Sequence, residues 1–465
     1  PCVTCRFGST KDEPIGAVRF HCASDGARSV TIGYRISGAN VSTISKHLLP
    51  DNAVINAQGV MSVGGCSLVD VASTFGTPVF VYDEDHLRAR CHEAVKAFGQ
   101  NRVIYATKAF FCTAMAKLAY DEGLMLDVAT GGELFIALQA GVPGSSCVMH
   151  GNNKSMDELR MAINAEVHHI VVDSFDELDR LDALHAEGLP VPRVQLRITP
   201  GVSVHTHEYI STGQNDSKFG FNLGNGDAHR AAERARNAKS VSFVGVHCHI
   251  GSNVFAVENF AHAAKIMVDL ANELEVEQLT FGGGLGVAYV ESEHASSITE
   301  WSTHLISAAE QLRKPTQVFV EPGRSIVASA AVTLYEVGTV KPIPGVRTYV
   351  SVDGGMSDNP RPVMYGSGYE LFMPANASAD RTQPIRLVGK HCESGDVLIN
   401  EAMVPEGLKV GDLVATPVTG AYGHSMGSNY NKVTRPPVVF VRNGNARLVV
   451  RRETYEDLVR LDVSQ

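Results

Sequence analysis

The sequence has no surplus of positive charge: 40 basic side chains face 50 acidic ones over 465 residues, a formal net charge of -10. A general attraction to nucleic-acid backbones or anionic lipid is therefore not expected. It also lacks an unbroken apolar run of the roughly 18 residues that a membrane span requires. With 44% hydrophobic and 19% charged residues and a mean hydropathy of -0.01, it reads as a soluble chain. A disulfide pattern is missing too. Nine cysteines, odd in number and without short regular spacing, read as reduced thiols in a cytosol-like compartment: the cytoplasm or, for a plant-like source, a plastid.

Residues 1–46 hold Lys11, Asp12 and Glu13 but no apolar stretch of the kind a secretory signal needs, and read as a flexible extension. Cys2, Cys5, His21 and Cys22 suggest a metal cluster only superficially, because no second well-spaced pair follows. The chain opens on Pro1 rather than methionine, as a processed protein does. It has no fixed-period repeat and no low-complexity tract.

What is present is length and rhythm. At roughly 100–200 residues per domain the chain has room for two or three domains. Between residues 79 and 325 one unit recurs: a short β-branched or aromatic run, a polar or glycine-rich loop, then an alanine- and leucine-rich stretch with helical spacing. The runs fall at 102–106, 124–128, 147–150, 169–173, 193–198, 243–249, 278–281 and 317–321. Eight parallel strands are what a closed (β/α)8 barrel needs, whereas an open doubly wound sheet normally uses fewer. Residues 111–122, 133–140, 156–165, 260–275 and 298–312 carry the helical pattern of an outer ring.

After Pro322 the texture becomes strand-like, with runs at 331–341, 347–353, 384–388, 412–416 and 437–450, the last containing the hairpin signal Asn443-Gly444. The fold class expected is α/β: a barrel over 83–328 and an all-β domain over 329–465, which also takes in N-terminal strands from 47–82.

Several barrel runs end in reactive groups, where the C-terminal mouth of a parallel barrel builds its site. Lys108 follows Tyr105-Ala106-Thr107, a position where burial would favour the neutral, nucleophilic amine needed for a Schiff base. A salt-bridged lysine at a strand end is the plainer alternative. Gly282-Gly283-Gly284-Leu285-Gly286 follows the seventh run and offers backbone N–H groups to a phosphate, or simply a tight turn. It is not a Walker A loop, and its late position is wrong for a dinucleotide fingerprint.

Glu321-Pro322-Gly323-Arg324 ends the eighth run with a carboxylate and a guanidinium, suited to a pyridine nitrogen and to a carboxylate or phosphate. The strand period of two puts His247 and His249 on one face. Together they could ligate zinc, but no nearby carboxylate pattern supports a metal.

Set in order, these segments resemble the diaminopimelate decarboxylases, pyridoxal-phosphate (PLP) enzymes of the alanine-racemase-like fold. The resemblance rests on Tyr105-Ala-Thr-Lys108, Asp127-Val-Ala-Thr-Gly-Gly-Glu133, His150-Gly-Asn-Asn-Lys154, Ser217-Lys-Phe-Gly220 and His249-Ile-Gly-Ser252. It continues through Gly282-Gly-Gly-Leu-Gly286, Glu321-Pro-Gly-Arg324, Cys392-Glu-Ser-Gly-Asp396 and Gly420-Ala-Tyr422, and spans roughly residues 61 to 440.

The resemblance implies that Lys108 forms the Schiff base with PLP, His249 stacks on its ring and Glu321 pairs with its pyridine nitrogen. Asp127, Ser252, Gly283, Gly284, Leu285 and Tyr422 join the cofactor site. It further implies that Arg324, Arg361, Tyr365 and Tyr422 bind the substrate, the first three through its distal carboxylate. Cys392 would be a proton donor and Glu393 a reader of the distal ammonium in the opposite subunit's site, so a homodimer is implied. Asn359-Pro360 stands where leucine-isoleucine is usual.

The implied reaction is decarboxylation of meso-2,6-diaminopimelate to L-lysine, the last step of lysine biosynthesis. A decarboxylase of ornithine, arginine or carboxynorspermidine, or a non-catalytic PLP-binding relative, is the alternative. No metal, nucleic acid or membrane partner is implied.

Overall fold

The computed structural model describes residues 43–201 and 216–463. Cys2, Cys5, His21, Cys22 and nearly all of the 1–46 extension lie outside the described residues. The strands Ile104–Ala106, Met125–Val128, Cys147–Met149, His169–Val172, Arg193–Thr199, Ser242–Cys248, Gln278–Phe281 and Gln317–Val320 pair in chain order, each parallel to the next. The first and last meet through a parallel Val103↔Val320 bridge, with Val320 N–H donating to Arg102 O at 3.0 Å, which closes the barrel. The eight runs read from the sequence are these strands, one coinciding and the other seven differing at their ends by one or two residues.

Four of the helices between the strands start on serine or threonine caps. Thr130 caps Gly131–Gln139, and Ser155 and Ser297 form full capping boxes with Glu158 and Glu300 at the heads of Met156–Asn164 and Ile298–Ala309. The outer ring packs on aromatics. Trp301 is fully buried, with its ring 5.6 Å from that of Phe98 and 5.7 Å from that of Phe260.

The second sheet has eight strands. Val79–Asp83 lies at its centre, antiparallel to Ala331–Ile343 (Val81↔Val332) and parallel to Val438–Arg442 (Val81↔Val439). Val438–Arg442 then turns into Asn445–Val450 through Asn443 and Gly444, at φ 51 and 75°, the left-handed pair a two-residue hairpin requires. The earlier N-terminal pieces stay outside the large sheet, although Gly59 O and Gly64 O accept from Ala377 and Gly444 of the β domain at 2.7 and 2.8 Å. Ala53–Ile55, Met61–Val63 and Cys66–Ser67 pair only with one another, in a small antiparallel sheet, because tight turns return each one to its neighbour before it can reach the large sheet. Among the described residues no helix is long and apolar enough to cross a membrane.

The barrel interior positions the site. Ile104, Met125, Val148, Val171 and Phe319, one from each of five strands, form a separate buried apolar cluster. Two residues further along those strands stand Ala106, Asp127, His150, Asp173 and Glu321. The period of two keeps both sets on the inward face, so an apolar floor passes directly into a polar mouth.

Candidate active site

The mouth is a cavity of about 490 Å³ whose lining includes Lys108, Asp127, His249, Ser252, Gly283, Gly284, Glu321, Arg324, Tyr365 and Tyr422. Ten positions singled out in the sequence thus converge. Lys108 sits in the short turn Thr107–Ala109, which is anchored by Thr107 Oγ1 donating to Asp127 O at 2.6 Å. Lys108 is exposed to the cavity. The burial expected of its strand-end position is not present, because the turn lifts the side chain off the strand and into the opening.

Glu321 is the buried centre. Its Oε2 accepts from His247 Nε2 at 2.8 Å, and its Oε1 lies 2.9 Å from His150 Nε2. Burial works against charge on this carboxyl, yet the two imidazoles hold it well below the usual carboxylate range. His150 responds the other way: burial opposes its charge, but Asp127 and Glu321 raise its pKa above the ordinary histidine value. Burial pulls His247 below that value. The contact to His150 is close but not aligned for a hydrogen bond, so Glu321 Oε1 and His150 Nε2 are both buried without a hydrogen-bond partner.

His150, His247 and Glu321 bring their ligand atoms within 4.8 Å of one another, an arrangement a metal ion could also occupy. The pairing considered from sequence, His247 with His249, is not the one that forms this group.

Arg197 went unnoticed in the sequence, although the same period of two carries it inward from Gln195. It lines the cavity, lies 3.7 Å from Asp173 and stacks 4.2 Å over the Phe219 ring. Burial lowers its pKa.

At the other end, Arg324 donates to Ser252 Oγ at 2.9 Å and to the Tyr289 hydroxyl, and its guanidinium lies 4.7 Å from the Tyr422 ring centre. Tyr422, at φ 58°, donates its N–H to Ala109 O at 2.8 Å and so joins the Lys108 turn to the β domain. Arg361 does not line the cavity. It lies behind Tyr289, 4.0 Å from that ring, and donates to Tyr369 and Ser367 at 3.2 and 3.0 Å. Asn359-Pro360 leads into the short helix Arg361–Tyr365, with Asn359 buried and its N–H on Gly355 O.

Three further positions also stay out of the cavity. Leu285 is buried beside the glycine run, and Cys392 and Glu393 stand on an exposed turn tied to Asn431 through the Cys392 N–H at 3.2 Å.

Residues 84–328 match the family model described as the pyridoxal-binding domain of pyridoxal-dependent decarboxylases. The chain is 44% identical to the diaminopimelate decarboxylase of Corynebacterium efficiens over 90% of its own length and 94% of the relative's. The chain belongs to the diaminopimelate decarboxylase family. The Bacillus subtilis member is 45% identical over 88% of this chain and 96% of the relative. Among solved structures, the M. jannaschii diaminopimelate decarboxylase in complex with L-lysine superposes with a TM-score of 0.83 at 32% identity, covering 89% of this chain and 98% of that one.

The residues present fit the family's cofactor. Glu321 Oε1 is a buried, negatively charged acceptor without a hydrogen-bond partner, which a protonated ring nitrogen would satisfy. The glycine run leaves room only for backbone: a Cβ on Gly283 would stand 1.9 Å from Glu321 O, and one on Gly284, at φ +111°, would stand 2.1 Å from Gly251 O. A phosphate can approach the backbone N–H groups there, beside the Ser252 hydroxyl.

Proposed function

We propose that this chain decarboxylates meso-2,6-diaminopimelate to L-lysine with PLP held in the barrel mouth, completing lysine synthesis in a cytoplasmic or equally reducing compartment. The observation that carries this reading is the Glu321 carboxylate, buried, held anionic and left with one oxygen unsatisfied in the same cavity as Lys108. When bound, PLP supplies an electron sink for the pair left behind by departing carbon dioxide.

The residues divide that work. Lys108 would tether the cofactor and Glu321 would keep its ring nitrogen protonated, since His247 donates to Oε2 and leaves Oε1 as the open acceptor. His249 would cover the ring. Ser252, Gly283, Gly284 and Tyr422 take the phosphate, with Leu285 fixing the end of the glycine run through its bridge to Val254, and Asp127 keeps His150 charged beside Glu321.

Arg324 and Tyr365 read the distal carboxylate, and Arg361, one tyrosine behind them, adds positive charge to that end without reaching the cavity. That buried cationic end disfavours ornithine and arginine, which carry no second carboxylate to pair with it. Cys392, as proton donor, and Glu393, as reader of the distal ammonium, serve the partner subunit's site in a homodimer. Their exposed turn, outside the cavity of their own chain, supports that assignment.

The test is to incubate the PLP-loaded protein with meso-diaminopimelate, and separately with ornithine, across a dilution series followed by sedimentation. Carbon dioxide and L-lysine from the first substrate, with activity falling as the dimer dissociates, are expected. Preference for ornithine, or no carbon dioxide, overturns the substrate reading, and a fully active monomer overturns the shared site.

A further inference from the structure

Behind the glycine run lies a second cavity, of about 320 Å³, which none of the proposed catalytic steps uses. Its floor is Leu285, Gly286, Val287 and Ala288, the direct continuation of the phosphate cradle, together with Ser325, the neighbour of Arg324. Gly286 N–H donates to Val254 O, and Val254 N–H donates to Gly284 O, so floor and cradle share one short hydrogen-bonded unit.

The walls carry donors. Lys46, Arg90, His47, His86 and His294 line the cavity, and Asp51 is the only carboxylate in the described lining. Arg90 lies 3.6 Å from Asp51 and 2.9 Å from Glu93, yet its Nε is buried without a partner. Lys46 forms no ion pair with another described residue. His86 is neutral, since burial lowers its pKa: Nδ1 accepts from Asp51 N–H at 3.0 Å, and Nε2 donates to Ser329 Oγ at 3.2 Å. That leaves the Ser329 hydroxyl proton available to a ligand. The Ser296 and Ser325 hydroxyls have no hydrogen bond to another described residue. Lys46, the partnerless Nε of Arg90 and the serine hydroxyls are donors that suit an oxyanion, while Asp51 is already neighboured by Arg90 and is not free to hold a cation.

We propose that this cavity binds a small phosphate- or carboxylate-bearing metabolite, and that its occupant steadies the cradle from behind and slows loss of the cofactor. Binding itself does not depend on the decarboxylase reading. Retention requires only that PLP occupies the first cavity.

The holoenzyme, whose own cradle is filled, is titrated calorimetrically with inorganic phosphate and with malonate. The comparison is a Lys46→Gln/Arg90→Gln double variant, with His294→Ala as a second rim variant, each checked for wild-type melting temperature. One saturable site is expected, roughly tenfold or more weaker in the double variant and measurably weaker in His294→Ala. The tighter of the two probes identifies the ligand's acidic group. Cofactor loss after dilution, followed by its near-visible absorbance, should slow severalfold with the tighter probe in the wild type but not in the double variant. No saturable binding, binding that survives all three substitutions, or binding that leaves cofactor loss unchanged overturns the proposal.

Discussion

The two ends of the barrel interior are made from the same strands and differ by one step of the strand period. At the floor, Ile104, Met125, Val148, Val171 and Phe319 are buried against one another and none of the five carries an ionisable group. Two residues on, Asp127, His150 and Glu321 are equally buried but mutually charged. The floor contributes apolar burial. The mouth spends part of that stability on groups that are costly to desolvate and are retained because each has a charged neighbour. One backbone thus carries a stability layer and a chemical layer, and the two should be separable by mutation.

The largest separation is expected from Lys108→Ala, which should abolish the near-visible absorbance of the PLP-loaded protein and lower turnover by about 10⁴-fold or more while leaving the melting temperature of the cofactor-free chain unchanged. Retained absorbance in the variant refutes the tether. Phe319→Ala should do the reverse. Removing the fully buried ring is expected to cost about 3–5 kcal/mol in denaturant unfolding, with the remaining folded protein still binding PLP. An undiminished unfolding midpoint would mean the floor is not the stability layer.

Glu321→Gln, a mouth change of equal volume, should lower kcat by about 10²–10³-fold and shift the cofactor absorbance, because the ring nitrogen loses its anionic partner. Wild-type kcat would remove Glu321 from the mechanism. The smallest effect concerns pH. His150 has a raised pKa, so its attraction to Glu321 and Asp127 is fully present below the ordinary histidine value of about 6.5 and is lost as pH rises through the raised value. The melting temperature of the cofactor-free protein should fall over that alkaline step, and His150→Gln should flatten the fall. A step of the same size in the variant assigns it to another group.

Much of this layout was legible in one dimension. The eight β-rich runs and the residues closing them place Lys108, Asp127, His249 and Glu321 at strand ends, since the period of two and the barrel's polarity follow from local chemistry. The hairpin at Asn443-Gly444 is legible for the same reason. Arg197 was not legible as a site residue: the period of two puts it on the same face as Gln195, but only closure of the barrel brings that face to Asp173 and the cavity. Nor was the exposure of Lys108, which depends on how the Thr107–Ala109 turn leaves the strand. The partners of Glu321 come from strands 74 and 171 residues away along the chain, since His247 and His150 lie that far from position 321, and no spacing rule relates them.

The short strands between 53 and 67 illustrate the same limit. Their alternation marks them as β, but turn geometry, not pattern, decides that they pair with one another while Val79–Asp83 enters the large sheet.

What the sequence determines by itself is the set of strands, their caps and turns, and the residue types delivered to the barrel's C-terminal rim, because these depend on neighbours within a few positions. Which of those groups share a charge, which oxygen of Glu321 is left unsatisfied, and that Arg361 lies one tyrosine behind Arg324 are decided only by the tertiary structure. Burial and Coulomb attraction act between atoms near in space, and the closed barrel determines which distant residues become near.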